Sequence, residues 1–437
     1  MTNLLKSIGL PIERFTDREA ASGILLLISA ALAVGLTNSQ WGPMFQSFWQ
    51  TPLGGQVGNY ALQKPIVLWV NDGLMAVFFL LVGLEIKREL LVGELSDMRA
   101  AALPIAAAVG GMVVPAGIYL SINGTEQNAE GWAIPMATDI AFSLGILALC
   151  GRRLPVTIKI FLTALAIVDD VGAVLVIALF YTASIQIELL VAAGIIFFIL
   201  FGFNRVGVRS LWFYLIPGLV VWFLFLKSGV HATIAGILLA QLIPVQTRTD
   251  TNAFTTDMRQ LIDRFAQNGQ PGRHIITQPD RQQSLHLMRE RCNAIETPLE
   301  KLEHALLLPV SFLIMPVFAL ANAGFSFDSF SEITLGGVFP AVALGLALGK
   351  PIGIVVFTYA AIRLGLARMP AGTGFGHILG AGLLAGIGFT MSLFIAGLAF
   401  EDKTLEITRA AIIMGSLLAG ISGFLLLRWV NHLTSPR

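Results

Sequence analysis

The sequence predicts an all-α polytopic membrane protein with about twelve transmembrane helices. Apolar residues make up 55% of the 437 positions and charged residues only 13%, about half the charged share of an ordinary soluble domain. The 44 glycines suit helices that pack closely in lipid, because small residues let two backbones approach each other. The lysines and arginines are unevenly divided between the predicted loops, and this bias orients the chain in the bilayer.

Apolar runs that approach the roughly 20 residues needed to cross a bilayer recur along the chain. We place them at 20–40, 65–86, 100–120, 131–150, 156–180, 187–203, 211–226, 229–245, 305–322, 336–361, 376–400 and 406–428. With the N-terminus inside, the cytoplasmic segments hold nearly all of the 28 basic residues, as cytoplasmic loops do. The exceptions are Lys64, Lys227, Lys350, Lys403 and Arg409. Both termini are therefore predicted to be cytoplasmic.

One long polar segment divides the chain into two membrane parts. Residues 1–245 hold spans one to eight, residues 246–301 form the polar segment, and residues 302–437 hold spans nine to twelve. The polar segment is rich in Gln, Arg, Asp and Thr, so its middle is predicted to be a flexible loop. An amphipathic helix is predicted over 282–303. The basic residues of the segment place it in the cytoplasm.

Several function classes are disfavoured by composition. A formal net charge of +1 argues against nucleic acid as a partner. Cys150 and Cys292 do not form a disulfide framework, and the spacing of ligand-type residues predicts no metal centre. No cofactor is expected. The first 21 residues contain no cleavable apolar segment, so the first span is predicted to act as an uncleaved anchor.

Two adjacent aspartates, Asp169 and Asp170, lie in the middle of the fifth apolar run. One charged side chain near the membrane centre costs about 2.5–3.5 kcal/mol on insertion scales, so an ionisable group at this depth indicates a functional site. Two neighbouring carboxylates in a low dielectric cannot both ionise at low cost. Small hard cations require ionised oxygen ligands. Protons and a cation are therefore predicted to compete for the same oxygens.

Two apolar runs carry signs of interrupted helices. In the fourth run, Thr138 and Asp139 follow Pro135 by three and four residues, and they can satisfy the backbone groups that a proline frees. In the eleventh run, four glycines fall within 380–388. A pair of interrupted apolar segments in the two halves of a chain indicates a transporter site built from broken helices. Discontinuous helices are therefore predicted near 131–150 and 376–400.

A lone cation, Lys350, stands before a proline in the tenth apolar run. An ammonium at this depth needs a counter-charge or a carbonyl dipole. The candidate partners are Asp169, Asp170 and the negative end of a broken half-helix. A snorkelling lysine is disfavoured because snorkelling requires a helix end. A purely structural ion pair with an aspartate is the alternative to a functional role.

Seven motifs, in their order along the chain, resemble the NhaA family of Na⁺/H⁺ antiporters. They are GLEIKREL at 83–90, ATDIAF at 137–142, AIVDDVG at 166–172, SGVHAT at 228–233, FALANAG at 318–324, LGKPIG at 348–353 and GIGFTMS at 386–392. The resemblance covers nearly all of 12–245 and 300–430. It implies inverted-topology repeats with two discontinuous helices. The segment 246–301 is longer than this family usually has between its eighth and ninth spans.

The resemblance also implies an activity and a site. The activity is electrogenic, pH-regulated export of Na⁺ or Li⁺ in exchange for protons, by alternating access in the bacterial cytoplasmic (inner) membrane. Such a protein is a transporter and not an enzyme. Asp169 and Asp170 correspond to the cation and proton site, supported by Thr138, Asp139 and Lys350. The pH response is assigned to Glu85, Arg88, Glu89, Glu303 and His304. A hairpin within 45–63 is expected to join two protomers of a homodimer.

The residues themselves leave a choice of roles and of function classes. We expect Asp170 to be the principal cation ligand and Asp169 to pair with Lys350 when Na⁺ is absent. The second proton of each cycle is carried either by Asp169 or by Lys350. An intramembrane aspartyl protease is disfavoured, because adjacent residues on one helix cannot flank a peptide bond. A channel would show filter loops or rings of charge, and a solute symporter would show a further polar pocket.

Overall fold

Helices account for nearly all of the chain that the structure describes. This computed structural model describes residues 21–57, 60–123, 128–151, 154–182, 185–246, 251–267, 278–334 and 336–434. The N-terminal helices α1 (Ala21–Thr37) and α2 (Gly42–Gln50) meet at an angle of 113°. They lead into an antiparallel hairpin of β1 (Pro52–Val57) and β2 (Tyr60–Pro65), with Pro52 opposite Pro65. The hairpin predicted within 45–63 is thus present.

The helices that follow the hairpin form one packed bundle, apart from two helices of the polar segment that pack mainly on each other. In the first half of the chain they are α3 (Ile66–Val92), α4 (Met98–Asn123), α5 (Ile140–Leu149), α6 (Val156–Phe180), α7 (Ile187–Val206), α8 (Trp212–Ser228) and α9 (Ala232–Leu242). A 3-10 helix, Ala129–Met136, precedes α5. In the second half they are α10 (Thr251–Gln267), α11 (Pro279–Ile295), α12 (Pro298–Asn322), α13 (Val338–Arg363), α14 (Phe375–Ala385), α15 (Phe389–Ala399) and α16 (Asp402–Thr434).

The twelve predicted apolar segments all coincide with helices, which confirms the polytopic all-α fold. Within the described residues, eight helices are long and apolar enough to cross a membrane, and the bent pairs α1–α2 and α14–α15 raise this number to ten. The remaining two segments form α8 and α9, with 17 and 11 residues. Helix α9 is shorter than its apolar run because the chain is non-helical at His231 and extended at Ile243.

The polar segment 246–301 contains more helix than its composition predicted. Helices α10 and α11 pack against each other in an antiparallel arrangement. The Nε atom of Arg281 donates to the carbonyl of Phe265 at 3.0 Å, and its guanidinium lies 4.8 Å from the centre of that ring. Near the other end, Arg291 and Asp257 form an ion pair at 3.4 Å. Charged and cation–π contacts between these two polar helices thus supply order that composition did not reveal.

The single amphipathic helix predicted over 282–303 was wrong in its bounds. Helix α11 ends at Ile295, and α12 begins after a capping box formed by Thr297 and Glu300. The hydroxyl of Thr297 accepts from the backbone N–H of Glu300 at 3.1 Å, and the carboxylate of Glu300 accepts from the N–H of Thr297 at 3.0 Å. Pro298 at the first helical position fits such a start, because its missing N–H has no partner there.

Three long helices contain one π-helical turn each. The turns are Val70–Leu74 in α3, Val310–Ile314 in α12 and Gly345–Gly349 in α13. Two of them are followed two residues later by Pro316 and Pro351. A proline lacks the N–H for the regular bond and crowds the carbonyl one turn earlier, so a widened turn relieves both problems. The turn in α13 directly precedes Lys350 and sets the direction of its side chain.

The crossing of α4 and α13 depends on two facing glycines. A Cβ added at Gly110 would lie 2.3 Å from the carbonyl oxygen of Gly353, and one at Gly353 would lie 2.0 Å from the carbonyl oxygen of Gly110. Both distances are below van der Waals contact, so only glycine permits this approach of the two backbones.

We expect Gly110→Ala to lower the unfolding temperature of the purified protein, because the added methyl group separates α4 from α13. Overpacking of this kind costs about 1–3 kcal/mol. Gly117 lies on the same helix with open space around it, so Gly117→Ala is a matched control that should leave the unfolding temperature unchanged. Equal unfolding temperatures of the two variants, measured by thermal scanning in detergent, would contradict the close packing.

Candidate functional site

Two interrupted helices cross in the centre of the bundle. The first interruption is the extended stretch 137–139 between the 3-10 helix Ala129–Met136 and α5, and the second is the break at 386–388 between α14 and α15. The backbone N–H of Asp139 donates to the carbonyl of Ile387 at 2.7 Å and joins the two breaks. Both predicted discontinuities are confirmed. The crossing brings four helix ends to one place inside the membrane.

The carboxylate of Asp139 accepts hydrogen bonds from the N-terminal turns of both half-helices. Its Oδ1 atom accepts from the backbone N–H of Phe142 at 3.0 Å and caps α5. Its Oδ2 atom accepts from the backbone N–H of Thr390 at 3.2 Å and from the hydroxyl of Thr390 at 2.5 Å, in the first turn of α15. A negative charge at this position offsets the positive dipole ends of two helices that point at each other.

Hydroxyl groups satisfy carbonyls at the opposite ends of the same interrupted helices. The hydroxyl of Thr138 donates to the carbonyl of Ala385 at 2.9 Å, and the hydroxyl of Ser143 donates to that of Leu384 at 2.7 Å. Ser392 donates to Ile134 at 2.7 Å. Helix ends leave carbonyls without intrahelical partners, and no lipid can hydrogen-bond them. These side chains therefore make non-helical backbone tolerable at membrane depth.

Lys350 is fully buried and forms an ion pair with Asp169. Its Nζ atom lies 2.6 Å from Oδ2 of Asp169, and the side chains are 0% and 1% exposed. The same ammonium donates to the carbonyl of Met136 at the end of the 3-10 helix. Of the candidate partners, the structure thus selects Asp169 together with a carbonyl at the negative end of a broken helix.

Asp170 faces a different direction from Asp169, as adjacent residues on a helix do. It lines a cavity of about 200 Å³ at the crossing. The Oδ2 atom of Asp170 and the Oδ1 atom of Asp169 are buried and accept no hydrogen bond from any residue that the structure describes. Buried carboxylate oxygens are normally satisfied. These two oxygens are therefore free to bind a cation or a proton.

The cavity connects the crossing with the end of α3 that is predicted to be cytoplasmic. Its polar lining runs from Asp170 at mid-membrane to Glu85 and Arg88 in the last turns of α3. The polar and charged residues of the lining are Ser22, Glu85, Arg88, Thr138, Asp139, Lys159, Thr163, Asp170, Ser311 and Thr390. Asp170 is thus reached through the cavity from this end of α3.

On the other side of the crossing, packed rings close the bundle. Phe394 of α15 lies 5.5 Å from Phe79, 6.3 Å from Phe318 and 5.6 Å from His231, measured between ring centres. Beyond them, the side chain of Asn322 donates to Asn71 at 2.8 Å. Close-packed rings of this kind leave no room for a hydrated ion. The structure is therefore open toward the end of α3 that is predicted to be cytoplasmic and closed on the opposite side of the crossing.

Four of the five residues assigned to the pH response lie near one another. Arg88 forms ion pairs with Glu303 at 2.5 Å and with Glu89 at 3.4 Å, and Glu85 lies one turn earlier on α3. His304 is 69% exposed and faces Glu296 at 3.5 Å. His304 therefore lies at the end of the polar segment and outside the cavity that contains Glu85 and Arg88.

Sequence reasoning missed two groups of residues that hold this region together. Thr390 and Ser392 lie inside the motif GIGFTMS, and their position just after the glycines was the available signal. Lys87 donates to the carbonyls of Gln241 and Ile243 at 2.7 and 2.5 Å, at the C-terminal end of α9. Lys87 lies in the motif at 83–90, but the motif does not reveal its partners, which lie about 155 residues further along the chain.

The comparisons with known proteins agree with this architecture. The sequence model of the family described as Na⁺/H⁺ antiporter 1 matches residues 13–427. The chain belongs to this family. A Na⁺/H⁺ antiporter NhaA of Oleidesulfovibrio alaskensis is 47% identical over 425 residues, which is 96% of this chain and 93% of the relative. Similar proteins occur in Helicobacter pylori, at 44% identity over 96% of both chains, and in Koribacter versatilis, at 47% over 95% and 91%.

One of the relatives has nearly the same length as this chain. The aligned region covers 96% of this chain and 96% of the Helicobacter pylori relative. The motifs at 137–142, 166–172 and 348–353 all fall inside the family match. Like this family, the chain is a multi-pass membrane protein.

Proposed function

We propose that the protein exchanges Na⁺ for H⁺ across the bilayer, with Asp170 as the principal cation ligand. One observation carries the proposal. The Oδ2 atom of Asp170 is buried without a hydrogen-bond donor among the described residues, at the inner end of a cavity that leads toward the predicted cytoplasmic end of α3. A hard cation prefers such an oxygen, and a proton binds the same atom. Competition between Na⁺ and H⁺ for that atom couples the two fluxes.

The ion pair of Asp169 and Lys350 is proposed to supply the second carboxylate ligand and the second proton of the exchange. With Na⁺ absent, the ammonium neutralises Asp169 at 2.6 Å. When Na⁺ enters, Asp169 can turn its free oxygen toward the cation, and Lys350 keeps its bond to the carbonyl of Met136. Export is electrogenic if two protons enter for each Na⁺. The second proton is carried by Asp169 in one scheme and by Lys350 in the other. Li⁺ fits the same carboxylate ligands.

Alternating access follows from the two interrupted helices. The breaks at 137–139 and 386–388 are joined by one backbone hydrogen bond and by the side chains of Asp139, Thr138 and Ser392. Non-helical backbone bends more readily than helix. We propose that α5 and α15 tilt about this crossing, so that the rings around Phe394 separate as the cytoplasmic cavity closes. Asp139 compensates the helix dipoles in both states and does not ligate the ion.

The cytoplasmic cluster is proposed to regulate exchange by pH. Glu85 and Arg88 line the cavity, and Arg88 joins α3 to α12 through its ion pair with Glu303. Protonation of an acidic member loosens this junction and narrows the entrance. The proposed pH-responsive residues are Glu85, Arg88, Glu89, Glu303 and His304.

The proposed setting is the bacterial cytoplasmic (inner) membrane, with both termini in the cytoplasm. The positive bias of the inside loops supports this orientation. The segment 246–301 then lies in the cytoplasm, between the membrane parts 1–245 and 302–437. In this orientation the hairpin of β1 and β2 lies on the outer face, and among the described residues its strands pair only with each other. A homodimer through 45–63 would pair these edges.

Purified protein in sealed vesicles tests the proposed function directly. With an inside-acid pH gradient and ²²Na⁺ outside, we expect uptake of Na⁺ that collapses the proton gradient. A lipophilic anion or cation that clamps the membrane potential should change the rate, because each cycle moves net charge. Na⁺ entry without proton movement would indicate a channel. Proton movement that requires an organic solute would indicate a symporter.

We expect deletion of Thr251–Ile295, replaced by a short Gly/Ser linker, to leave Na⁺/H⁺ exchange at its optimal pH nearly unchanged. Helices α10 and α11 pack on each other, and the base of the segment is closed by the N–H of Leu299 bonded to the carbonyl of Pro244 at 3.2 Å. The measurement is the exchange rate in vesicles. A deletion variant that inserts and purifies normally but transports nothing would refute this.

A further inference from the structure

A second, larger cleft lies outside the ion site. It has a volume of about 850 Å³ and lies between the ends of α4 and α6 and the loop that follows α13. It shares no lining residue with the cavity at Asp170. The loop is fixed to α6, because the hydroxyl of Thr157 donates to the carbonyl of Ala371 at 2.8 Å. The cleft is therefore a formed feature of the bundle.

Two arginines give the entrance of the cleft a positive charge. Arg99 lies in the first turn of α4, and Arg368 lies in the loop after α13. Both side chains are exposed, and neither forms an ion pair with a residue in the described ranges. Glu94 is the one acidic residue of the lining. The charge balance favours an anion, and guanidinium groups bind phosphate oxygens in a bidentate manner.

The floor of the cleft is apolar. Leu103, Phe161 and Ala367 are buried, and Ile160 and Leu366 form an exposed apolar rim. Leu366 is 65% exposed, which is unfavourable in water but suited to lipid. An apolar floor beneath a cationic entrance matches a ligand with a charged head and a hydrocarbon tail.

The depth of the cleft in the bilayer follows from the direction of the helices. Helices α4 and α6 begin at the face where α13 ends, so all three lining segments belong to the same side. This side carries Arg99 and Arg368 and is the cytoplasmic one by the distribution of basic residues. The cleft thus lies at the level of the phospholipid headgroups of the inner leaflet. Basic pockets between helices at this level bind anionic lipid headgroups.

We propose that this cleft binds an anionic glycerophospholipid from the cytoplasmic leaflet. The phosphate lies between Arg99 and Arg368, and Glu94 accepts a hydrogen bond from a hydroxyl group of the headgroup. One acyl chain follows Phe161 and Leu366 toward the bilayer. A free phosphate ion would occupy only a small part of the 850 Å³ cleft. It would leave the apolar floor exposed to water. The site is separate from Asp170, so its test is independent of the proposed exchange.

The test measures lipid retention by the full-length protein in detergent. Native mass spectrometry counts bound phosphatidylglycerol or phosphatidylcholine, and thermal scanning measures the stabilisation that each lipid gives. The test variant is Arg99→Gln with Arg368→Gln, and Arg368→Gln alone serves if the double variant is unstable without lipid. The matched control is Arg363→Gln, since Arg363 lies at the same end of α13 but outside the cleft and bonds to Tyr359.

We expect the wild type to retain phosphatidylglycerol in preference to phosphatidylcholine. Loss of both arginines should weaken phosphatidylglycerol binding about thirtyfold, and Arg363→Gln should bind it as the wild type does. Equal retention by the double variant and the wild type would overturn the proposal. Equal stabilisation by millimolar inorganic phosphate would also overturn it, because the ligand would then be a soluble anion. No preference between the two lipids would exclude headgroup recognition.

Discussion

Asp170→Asn should reduce Na⁺-driven proton movement in vesicles to the level of vesicles without protein. The change keeps the size of the side chain but removes its charge. Asp170 lines the cavity with an oxygen that accepts no hydrogen bond from a described residue, so a cation bound there relies on that charge. Loss of one buried charged partner costs about 2–5 kcal/mol, which corresponds to a loss of exchange on the order of a hundredfold or more.

Asp139→Asn is the matched comparison for this prediction. It makes the same chemical change in the same cavity. The carboxylate of Asp139, however, already accepts hydrogen bonds from the backbone N–H of Phe142 and from the N–H and hydroxyl of Thr390. Its loss weakens the compensation of two helix ends, an effect of about 0.3–2 kcal/mol. We therefore expect Asp139→Asn to slow exchange by about tenfold. Wild-type exchange by Asp170→Asn, or a larger defect in Asp139→Asn than in Asp170→Asn, would reverse these assignments.

The parts of the fold that sequence reasoning predicted are those with a strong local signal. The length of the apolar runs predicted the positions of the spans, and the depth of Asp169 and Asp170 in one of them marked the candidate ion site. Pro135 and the glycines at 386 and 388 marked the two breaks. A Cβ at Gly388 would lie 3.1 Å from the carbonyl oxygen of Ala137. The glycine therefore allows the two breaks to lie close together.

The features that escaped prediction depend on rotation and on distant partners. Asp169 and Asp170 differ by about 100° around one helix, and the expected pairing of Asp169 with Lys350 depends on a partner 181 residues further along the chain. The π turn at Gly345–Gly349 changes the direction of Lys350, and a single sequence does not reveal it. Likewise, the ion pair of Arg291 with Asp257 joins two helices of a segment that composition predicted to be a flexible loop. Tertiary contacts decided each of these points.

Lys350→Ala should lower the unfolding temperature of the protein. A second substitution, Asp169→Asn, should restore part of that loss. Without the ammonium, the carboxylate of Asp169 stays buried without its partner, and breaking a buried pair in this way costs about 3–5 kcal/mol. The double variant Lys350→Ala with Asp169→Asn removes both charges. We expect its unfolding temperature to lie well above that of Lys350→Ala. Additive losses in this double-mutant cycle would show that the 2.6 Å contact contributes no coupling.

A second substitution of Lys350 distinguishes the two proposed carriers of the second proton, Asp169 and Lys350. Lys350→Arg keeps a positive charge beside Asp169, but a guanidinium does not release its proton in the accessible pH range. If Lys350 carries the second proton, Lys350→Arg moves one proton for each Na⁺, and vesicles with this variant generate no current. The measurement compares Na⁺-driven proton uptake with current on a supported membrane. A variant that transports and still generates current assigns the second proton to Asp169, because the two carboxylates are then the remaining carriers.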